Sequence, residues 1–502
     1  MLDLACDVLV VGTGPSGLIL ALCLVMSGVS VRIIDKEPSY RVGRRGAGIT
    51  PRTLEVFKIL GVLLEILELA HKPVKFQSYE LPDGIKPLKT WTMSPTLEPT
   101  PARPFLNAVF LGQDQVEGIL RERLEAYACF VELGTELLGF QQYEDHVAVH
   151  ISVDSAGSHT EDINVKYLVG ADGAKGIVRK QLGLSFLGET RTEDCLIVSD
   201  VIVDGLDLEK VLSDPEEFRQ FFRSQTGRKD IKLMDIVWIS EYIPNIRMVD
   251  ELERDRVFIV GDAAHGMNSS VQDSFNVGWK LACATLGLAS PGILSTYAEE
   301  RLPVIAIPLR DSSVIAAMLE KTTELHRKTK SFNQLGINYR WSSIVLQETP
   351  RGTLDVYGND SEEPAVLVAG DRAPDAPGLL AEGNTVPQTL FDIFKYTAHT
   401  VLVFCPLAER STICGVVGFM SGLPQRVQSV VIHPSNSPGI EVLEPQADFV
   451  VWDQDGHAFS AYCASVDQIY CIVVRPDGMV GAIVSGVVGL TKYFDNIFQR
   501  RV

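Results

Sequence analysis

Residues 6–35 read CDVLVVGTGPSGLILALCLVMSGVSVRIID, and their reading decides the fold. Cys6–Val11 is a continuous apolar strand that stops at Gly12-Thr13-Gly14-Pro15-Ser16-Gly17. A helical pattern then runs to Ser27, halts at Gly28 and leads into a second strand, Val31–Ile34, closed by Asp35. This is a complete βαβ unit around GxGxxG, with an acid 21 residues beyond Gly14. Gly12 permits the tight turn, Gly14 lets backbone approach a pyrophosphate, and Gly17 lets helix pack on strand. Asp35 can accept hydrogen bonds from a ribose. Pro15, Ser16 and Lys36, which flank these positions, join the nucleotide-binding candidates. A lone glycine motif would be weak evidence, but strand, turn, helix, strand and acid in register are strong.

Composition bounds what surrounds this unit. A chain of 502 residues exceeds a single core, so two or three domains are expected. The net charge of −19 argues against nucleic acid or an anionic membrane surface as partner. Nine cysteines without a CxxC pair point to reduced thiols and a cytoplasmic setting. Asp3 and Asp7 sit where a secretion signal would carry basic residues. The longest apolar run, Leu18–Met26, falls short of the ~20 residues of a membrane span.

Two later stretches share the design of a strand ending in a small polar turn. Val147, Val149, Ile151 and Val153 alternate, as do Ile163, Val165, Tyr167 and Val169, with a turn at Ser155–Gly157 between them. This hairpin runs into Gly170-Ala171-Asp172-Gly173 and then Val178-Arg179. Residues 256–284 read RVFIVGDAAHGMNSSVQDSFNVGWKLACA. Here Val257–Val260 stops at Gly261-Asp262 before a long apolar helix, whose free N–H groups can face an electron-rich ligand.

Between and beyond these stretches the patterns are plainer. Leu54, Phe57 and Leu60 mark an amphipathic helix, in which Arg52 reads as an ordinary helix residue. Pro73–Pro104 is a proline-rich excursion with a β-like piece at Lys75–Glu80. Apolar residues at 116, 119, 120, 124 and 127 predict a one-faced helix over Val116–Ala128. Gly205–Gly227 is acidic and helix-like, Asp235–Ile243 is a strand, and helical patterns continue to about Glu320. Gln347–Pro364 is a polar linker. A new domain starts near Val368, with a strand at Val401–Phe404. Tyr470–Val474 and Met479–Val484 form a hairpin about the Pro476-Asp477-Gly478 turn.

Residues 44–55, RRGAGITPRTLE, resemble the segment after the second strand in the flavin-dependent aromatic hydroxylases, which include the phenol hydroxylase and para-hydroxybenzoate hydroxylase types. The three fingerprints, at 12–17, 172–173 and 261–262, stand in that family's order, so the resemblance spans nearly the whole chain. It implies an α/β fold, α+β overall, with a Rossmann-like FAD-binding domain, an inserted antiparallel substrate sheet and a C-terminal thioredoxin-like domain. The boundaries are 1–345 for the FAD domain (insertions about 74–106 and 190–254), 346–367 for a linker and 368–502 for the last domain. Without CxxC, structural or homodimer contacts suit that domain better than disulfide exchange.

The resemblance also assigns residues. It implies that Arg45 lies beside the flavin and that Gln113 and Arg121 contact the flavin or its phosphates. Arg121 has an equal rival reading as a surface partner of Glu117, four residues back. Asp172 and Gly173 are linked to the flavin and to the NADPH pyrophosphate, with Gly176 standing where the family has a capping serine. Gly261 and Asp262 hold the ribityl chain, and the Met267-Asn268 backbone lies near the pyrimidine edge. FAD would be reduced by NADPH or NADH, add O₂ at C4a and pass hydroxyl to a small aromatic substrate. No metal site is expected and no catalytic residue is assigned. Tyr242 and Arg247 are the nearest polar candidates, and Ala47 stands where some relatives carry an acid.

Two departures matter. His265 is followed directly by Gly266-Met267-Asn268, where the family inserts a proline- and glycine-containing loop. The chain between Val203 and Glu216 is too short for the usual substrate roof. Both expose the reacting centre to water, so release of H₂O₂ is expected. An FAD-binding remnant with uncoupled or lost hydroxylation stays open as an alternative, and a halogenase or oxidase on the same scaffold stays open more remotely. His265 reads as a turn or core residue rather than a base, and Ser269 and Ser270 as helix caps.

Overall fold

Strand Cys6–Val11 is the axis of the first sheet in the computed structural model of the chain. The structure describes residues 4–44, 46–72, 76–80, 86–91, 96–153, 159–190, 196–204, 223, 232–242, 245–265, 270–310, 333–348, 366–381, 383–404, 410–424, 426–435, 445–465 and 468–499. Val31–Asp35 lies parallel on one side of the axis, with Val10 opposite Ile33. Thr160–Gly170 lies parallel on the other, with Val10 opposite Val169. Val131–Leu133 extends the sheet past the second strand, and Val257–Ile259 extends it past Gly170. Continuous Val, Ile and Leu suit a sheet covered on both faces, and Val8, Leu9, Val10, Ile33, Ile34 and Val169 are fully buried.

This topology brings the three fingerprints together. Cys6–Val11, Thr160–Gly170 and Val257–Ile259 are parallel, so their carboxyl ends open side by side at Gly12, Ala171 and Gly261. In open α/β sheets a ligand binds in the crevice at that edge. Helix Pro15–Met26 covers the sheet and packs against helix Ser270–Thr285, where a Cβ at Gly278 would sit 3.0 Å from Cys23 Cβ.

The expected hairpin is present as Val147–Ser152 paired with Thr160–Gly170, its turn lying outside the described residues. Phe76–Tyr79 pairs with Pro87–Trp91 in the proline-rich excursion. In the second insertion, Leu196–Asp204 and Lys232–Tyr242 form a two-stranded antiparallel ribbon with irregular register near Val201. The acidic stretch Gly205–Gly227 lies outside the described residues apart from Arg223.

A second sheet occupies the C-terminal part. His399–Phe404, Val427–Pro434 and Phe449–Asp453 are parallel neighbours, with helix Arg410–Ser421 crossing between the first two. Tyr470–Val474 and Val480–Val484 add antiparallel on the other side of His399–Phe404, and helix Val487–Ile497 follows. Leu346–Gln347, at the start of the expected linker, already pairs with Ala482–Ile483 in this sheet.

Two expectations need correction. The helix expected over Val116–Ala128 runs over Gln113–Glu125, because Gly112 breaks the chain earlier and polar Gln113 and Asp114 fit a first turn. The helix expected to be amphipathic, Pro51–Leu60, is buried at every residue except Lys58. Its polar face is covered by the C-terminal sheet: Glu55 is fully buried between Arg52 (2.7 Å) and Arg372 (2.9 Å).

Candidate functional site

The glycine loop is fitted to the turn that follows strand Thr160–Gly170. Gly12 has φ +104°, and a Cβ there would lie 2.4 Å from the Ala171 carbonyl oxygen. A Cβ at Gly17 would lie 2.0 Å from the Gly12 carbonyl oxygen and 3.3 Å from Ala171 Cβ. First and second fingerprints therefore touch through positions that only glycine can fill. Gly14 is different: a Cβ there would meet nothing within 4 Å. It caps helix Pro15–Met26 without any side-chain hydrogen bond, so no capping side chain of its own stands at the helix start. That is what a pyrophosphate requires.

Asp35 closes the second strand as expected, nearly buried. Thr13 donates to its Oδ2 from both N–H (3.1 Å) and hydroxyl (2.6 Å), and the Glu37 N–H donates to Oδ1 (3.0 Å). A carboxylate has about four acceptor positions, so capacity for a ribose remains. Lys36 beside it is exposed.

Asp172 holds the second fingerprint. The Val178 N–H donates to its Oδ2 (3.1 Å), and burial pushes the carboxyl above its ordinary range against these backbone bonds. A Cβ at Gly176 would lie 2.2 Å from Asp172 Oδ1. Asp172 thus occupies the capping place that a serine at 176 would take. Gly173 has φ +76° with open space beside it. Arg179, nearly buried, donates to the carbonyls of Ala174 (2.7 Å) and Ala263 (2.9 Å) and stacks 4.0 Å over the Phe186 ring. It ties the second fingerprint to the third.

The third fingerprint is a left-handed turn. Gly261 has φ +62°, and a Cβ there would lie 2.3 Å from Ser16 Oγ, so it abuts the glycine loop as well. The Ser270 hydroxyl donates to Asp262 Oδ1 (3.3 Å). Asp262 is solvent-exposed, and the protein packed around it still raises its carboxyl above the ordinary range. His265 is fully buried, its Nε2 2.6 Å from Asp273 Oδ2, which supports a turn or core role.

Of the other expected residues, Gln113 and Arg121 make contacts within the chain. Gln113 Nε2 donates to Glu117 (2.8 Å) and its N–H to the Arg44 carbonyl (3.1 Å), beside the loop that carries Arg45. Arg121 lies 3.9 Å over the Tyr40 ring, a stacking contact that neither reading of it foresaw. Arg45, Met267 and Asn268 lie outside the described residues, as does the side chain of Tyr242. Arg247 is half-buried in strand Asn245–Met248, with Nε buried and without a hydrogen-bond partner. Among the described residues no group of acidic, His and Cys side chains could hold a metal.

Sequence reasoning missed Asp273. Asp273 Oδ2 accepts from the Gly261 N–H (3.1 Å) and Oδ1 from Arg301 Nε (2.7 Å), all fully buried. Burial raises its carboxyl, but His265 and Arg301 outweigh that and hold it below the ordinary range. A signal was available: Asp273, Asn276 and Lys280 recur at helical spacing within an otherwise apolar helix.

Comparison with known proteins gives the same assignment. The family profile described as "FAD binding domain" matches residues 5–229 and 209–311. A flavin-dependent monooxygenase of Mycobacteroides abscessus is 34% identical over 450 residues, covering 79% of this chain and 88% of its own. A 6-methylpretetramide 4-monooxygenase of Streptomyces rimosus is 32% identical, covering 77% and 79%. The fold is shared with aklavinone-11 hydroxylase, solved with FAD and aklavinone, at TM-score 0.75, 23% identity and full coverage of both chains.

Proposed function

The chain belongs to the FAD-binding family of flavin-dependent aromatic monooxygenases, and from that premise we propose that it hydroxylates a small phenolic or other aromatic molecule with O₂ and NADPH or NADH. The observation that carries this reading is the convergence of Gly12, Ala171 and Gly261 at one sheet edge, with open space at Gly14. FAD held there would supply the redox chemistry, in which NADPH or NADH provides two electrons and one oxygen atom of O₂ goes to the ring while the other leaves as water.

The chain's own residues bind, orient and shield. Gly14, Ser16 and Gly17 offer N–H groups to the pyrophosphate, Pro15, which has no N–H, opens the helix, and Gly12 keeps the turn tight. Asp35, with Lys36 beside it, takes the adenosine ribose. Asp172 and Gly173 line the pyrophosphate side, and Gly261 with Asp262 takes the ribityl chain. The Met267-Asn268 backbone, Arg45, Gln113 and Arg121 complete the proposed cradle.

The names of the relatives support an aromatic substrate and favour activity over an inert remnant. The parallel pair His399–Phe404 and Val427–Pro434 joined by a helix, with the antiparallel pair Tyr470–Val474 and Val480–Val484 and a closing helix, supports a thioredoxin-like C-terminal domain over 368–502. A homodimer rests on the resemblance. Among the described residues no helix is long and apolar enough to cross a membrane, and seven cysteines are free, which supports a cytoplasmic place. The test is to purify the protein, look for a flavin spectrum, and follow NADPH consumption against H₂O₂ with a panel of phenols. A protein that takes up no FAD overturns the proposal.

A further inference from the structure

The buried contacts of Gly261 point to a group that acts on the flavin site without touching it. Gly261 is the hinge of the left-handed turn that presents Asp262, and its N–H is held by Asp273 Oδ2 at 3.1 Å. The same oxygen takes His265 Nε2 at 2.6 Å, so both ends of the segment Gly261–His265 are pinned to one carboxylate. The His265 N–H also donates to the Gly261 carbonyl at 2.9 Å, which closes the turn on itself. Asp273 is in turn fixed by Arg301 Nε at 2.7 Å, whose Nη1 reaches Tyr339 Oη at 3.1 Å. Asp273, His265 and Arg301 are all fully buried.

A buried carboxylate in this position must keep both its charge and its partners, because a lone member would be an uncompensated buried charge. Rotation of Asp273 is thereby blocked, and with it rotation of the Gly261 peptide. Asp262 is one residue further on and is itself exposed, with a 3.3 Å contact from the Ser270 hydroxyl. Its aim depends on Gly261. The other buried charges of the same region face elsewhere: Glu300 bonds Lys280 (2.7 Å) and Arg475 (2.6 Å), toward the C-terminal sheet.

We propose that Asp273, clamped by Arg301, is a positioning residue for flavin binding: it fixes the Gly261 turn so that Asp262 meets the ligand. The inference rests on the flavin-binding role of Asp262 given above. Loss of an orienting partner behind a metal ligand costs about 10- to 100-fold in affinity, and a loss of that order is expected here.

The test compares FAD dissociation constants and flavin visible spectra of the full chain with those of Asp273→Asn, Arg301→Lys and Glu300→Gln. The expected result is a rise in Kd of about tenfold or more and an altered flavin spectrum for folded Asp273→Asn. Glu300→Gln, although less stable, should keep the Kd of the parent. If circular dichroism shows that Asp273→Asn does not fold, Arg301→Lys carries the test, with a weaker Kd expected while the fold is retained. An unchanged Kd in either folded variant, or an equal loss in Glu300→Gln, overturns the proposal. A parent protein that binds no FAD overturns instead the family reading beneath it.

Discussion

Arg475 of the C-terminal sheet grips Glu300 of the FAD-domain helix Thr296–Arg310 with two nitrogens, at 2.6 and 2.9 Å, and both side chains are fully buried. Asp477, in the turn after Arg475, bonds back to Arg475 at 2.5 Å and accepts from Trp279 Nε1 at 3.2 Å. Arg52 donates to the Asp477 carbonyl at 2.8 Å. The Pro476-Asp477-Gly478 turn is thus a plug between the two sheets rather than a surface hairpin tip.

Breaking one side of this buried pair leaves an uncompensated charge. Arg475→Met should cost about 3–5 kcal/mol of stability, read from denaturant unfolding. A loss below about 1 kcal/mol would place the pair among contacts that contribute little.

Gly176 cannot be returned to the serine of the family without cost. Its Cβ would lie 2.2 Å from Asp172 Oδ1, displacing the carboxylate that caps Val178. Gly176→Ser should lower stability by about 1–3 kcal/mol, the scale of overpacking. Thermal melting decides it, and a stabilised variant would show that the serine adds a cap rather than evicting one.

Glu253 provides a pH signature. Burial raises its carboxyl to about 7, with Lys280 opposing, and its Oε2 is buried without a hydrogen-bond partner. A raised folded-state value means stability is fully present below the unfolded value and is lost as pH rises through about 7. Glu253→Gln should therefore match the parent near pH 4 and exceed it by about 2–3 kcal/mol near pH 8. Parallel stability curves for the two proteins across that range would contradict this.

Asp262→Ala tests the ribityl contact. Removing a charge-assisted bond worth roughly 1.5–3 kcal/mol should weaken FAD binding by about 10- to 100-fold. Full flavin occupancy in that variant after dialysis would count against the role given to Asp262.

The direct join of His265 to Gly266 in the sequence, with the short substrate roof expected from residues 203–216, predicts poor shielding of the reacting centre. NADPH oxidised in the presence of a true substrate should return in large part as H₂O₂. Complete conversion to hydroxylated product, with no peroxide detected, would show that other residues close the site.

How much of this was legible in sequence depended on range. The βαβ unit was readable because glycines, strand and acid lie within residues 6–35, and Gly12, Gly17 and Asp35 stand as that pattern requires. The hairpin Val147–Ser152 with Thr160–Gly170 was readable from local alternation. The Asp273–Arg301 and Glu300–Arg475 pairs were not, because their partners lie far apart in sequence and no period links them. The helix Pro51–Leu60 misled for the same reason. Its polar residues pair with Arg372 and the Asp477 carbonyl, which no local pattern announces. The stacking of Arg121 over Tyr40 was not legible either, because 81 residues separate the two and no local pattern links them.

Oxygen-atom transfer from O₂ to an aromatic ring is the activity proposed for this chain. The most direct measurement is turnover of the FAD-loaded protein with NADPH under ¹⁸O₂ across a panel of phenols, with mass analysis of the products. One heavy oxygen is expected in a hydroxylated product from at least one phenol, alongside peroxide. A flavin-loaded protein whose NADPH oxidation returns entirely as H₂O₂ for every phenol, or a protein that takes up no flavin, would contradict it.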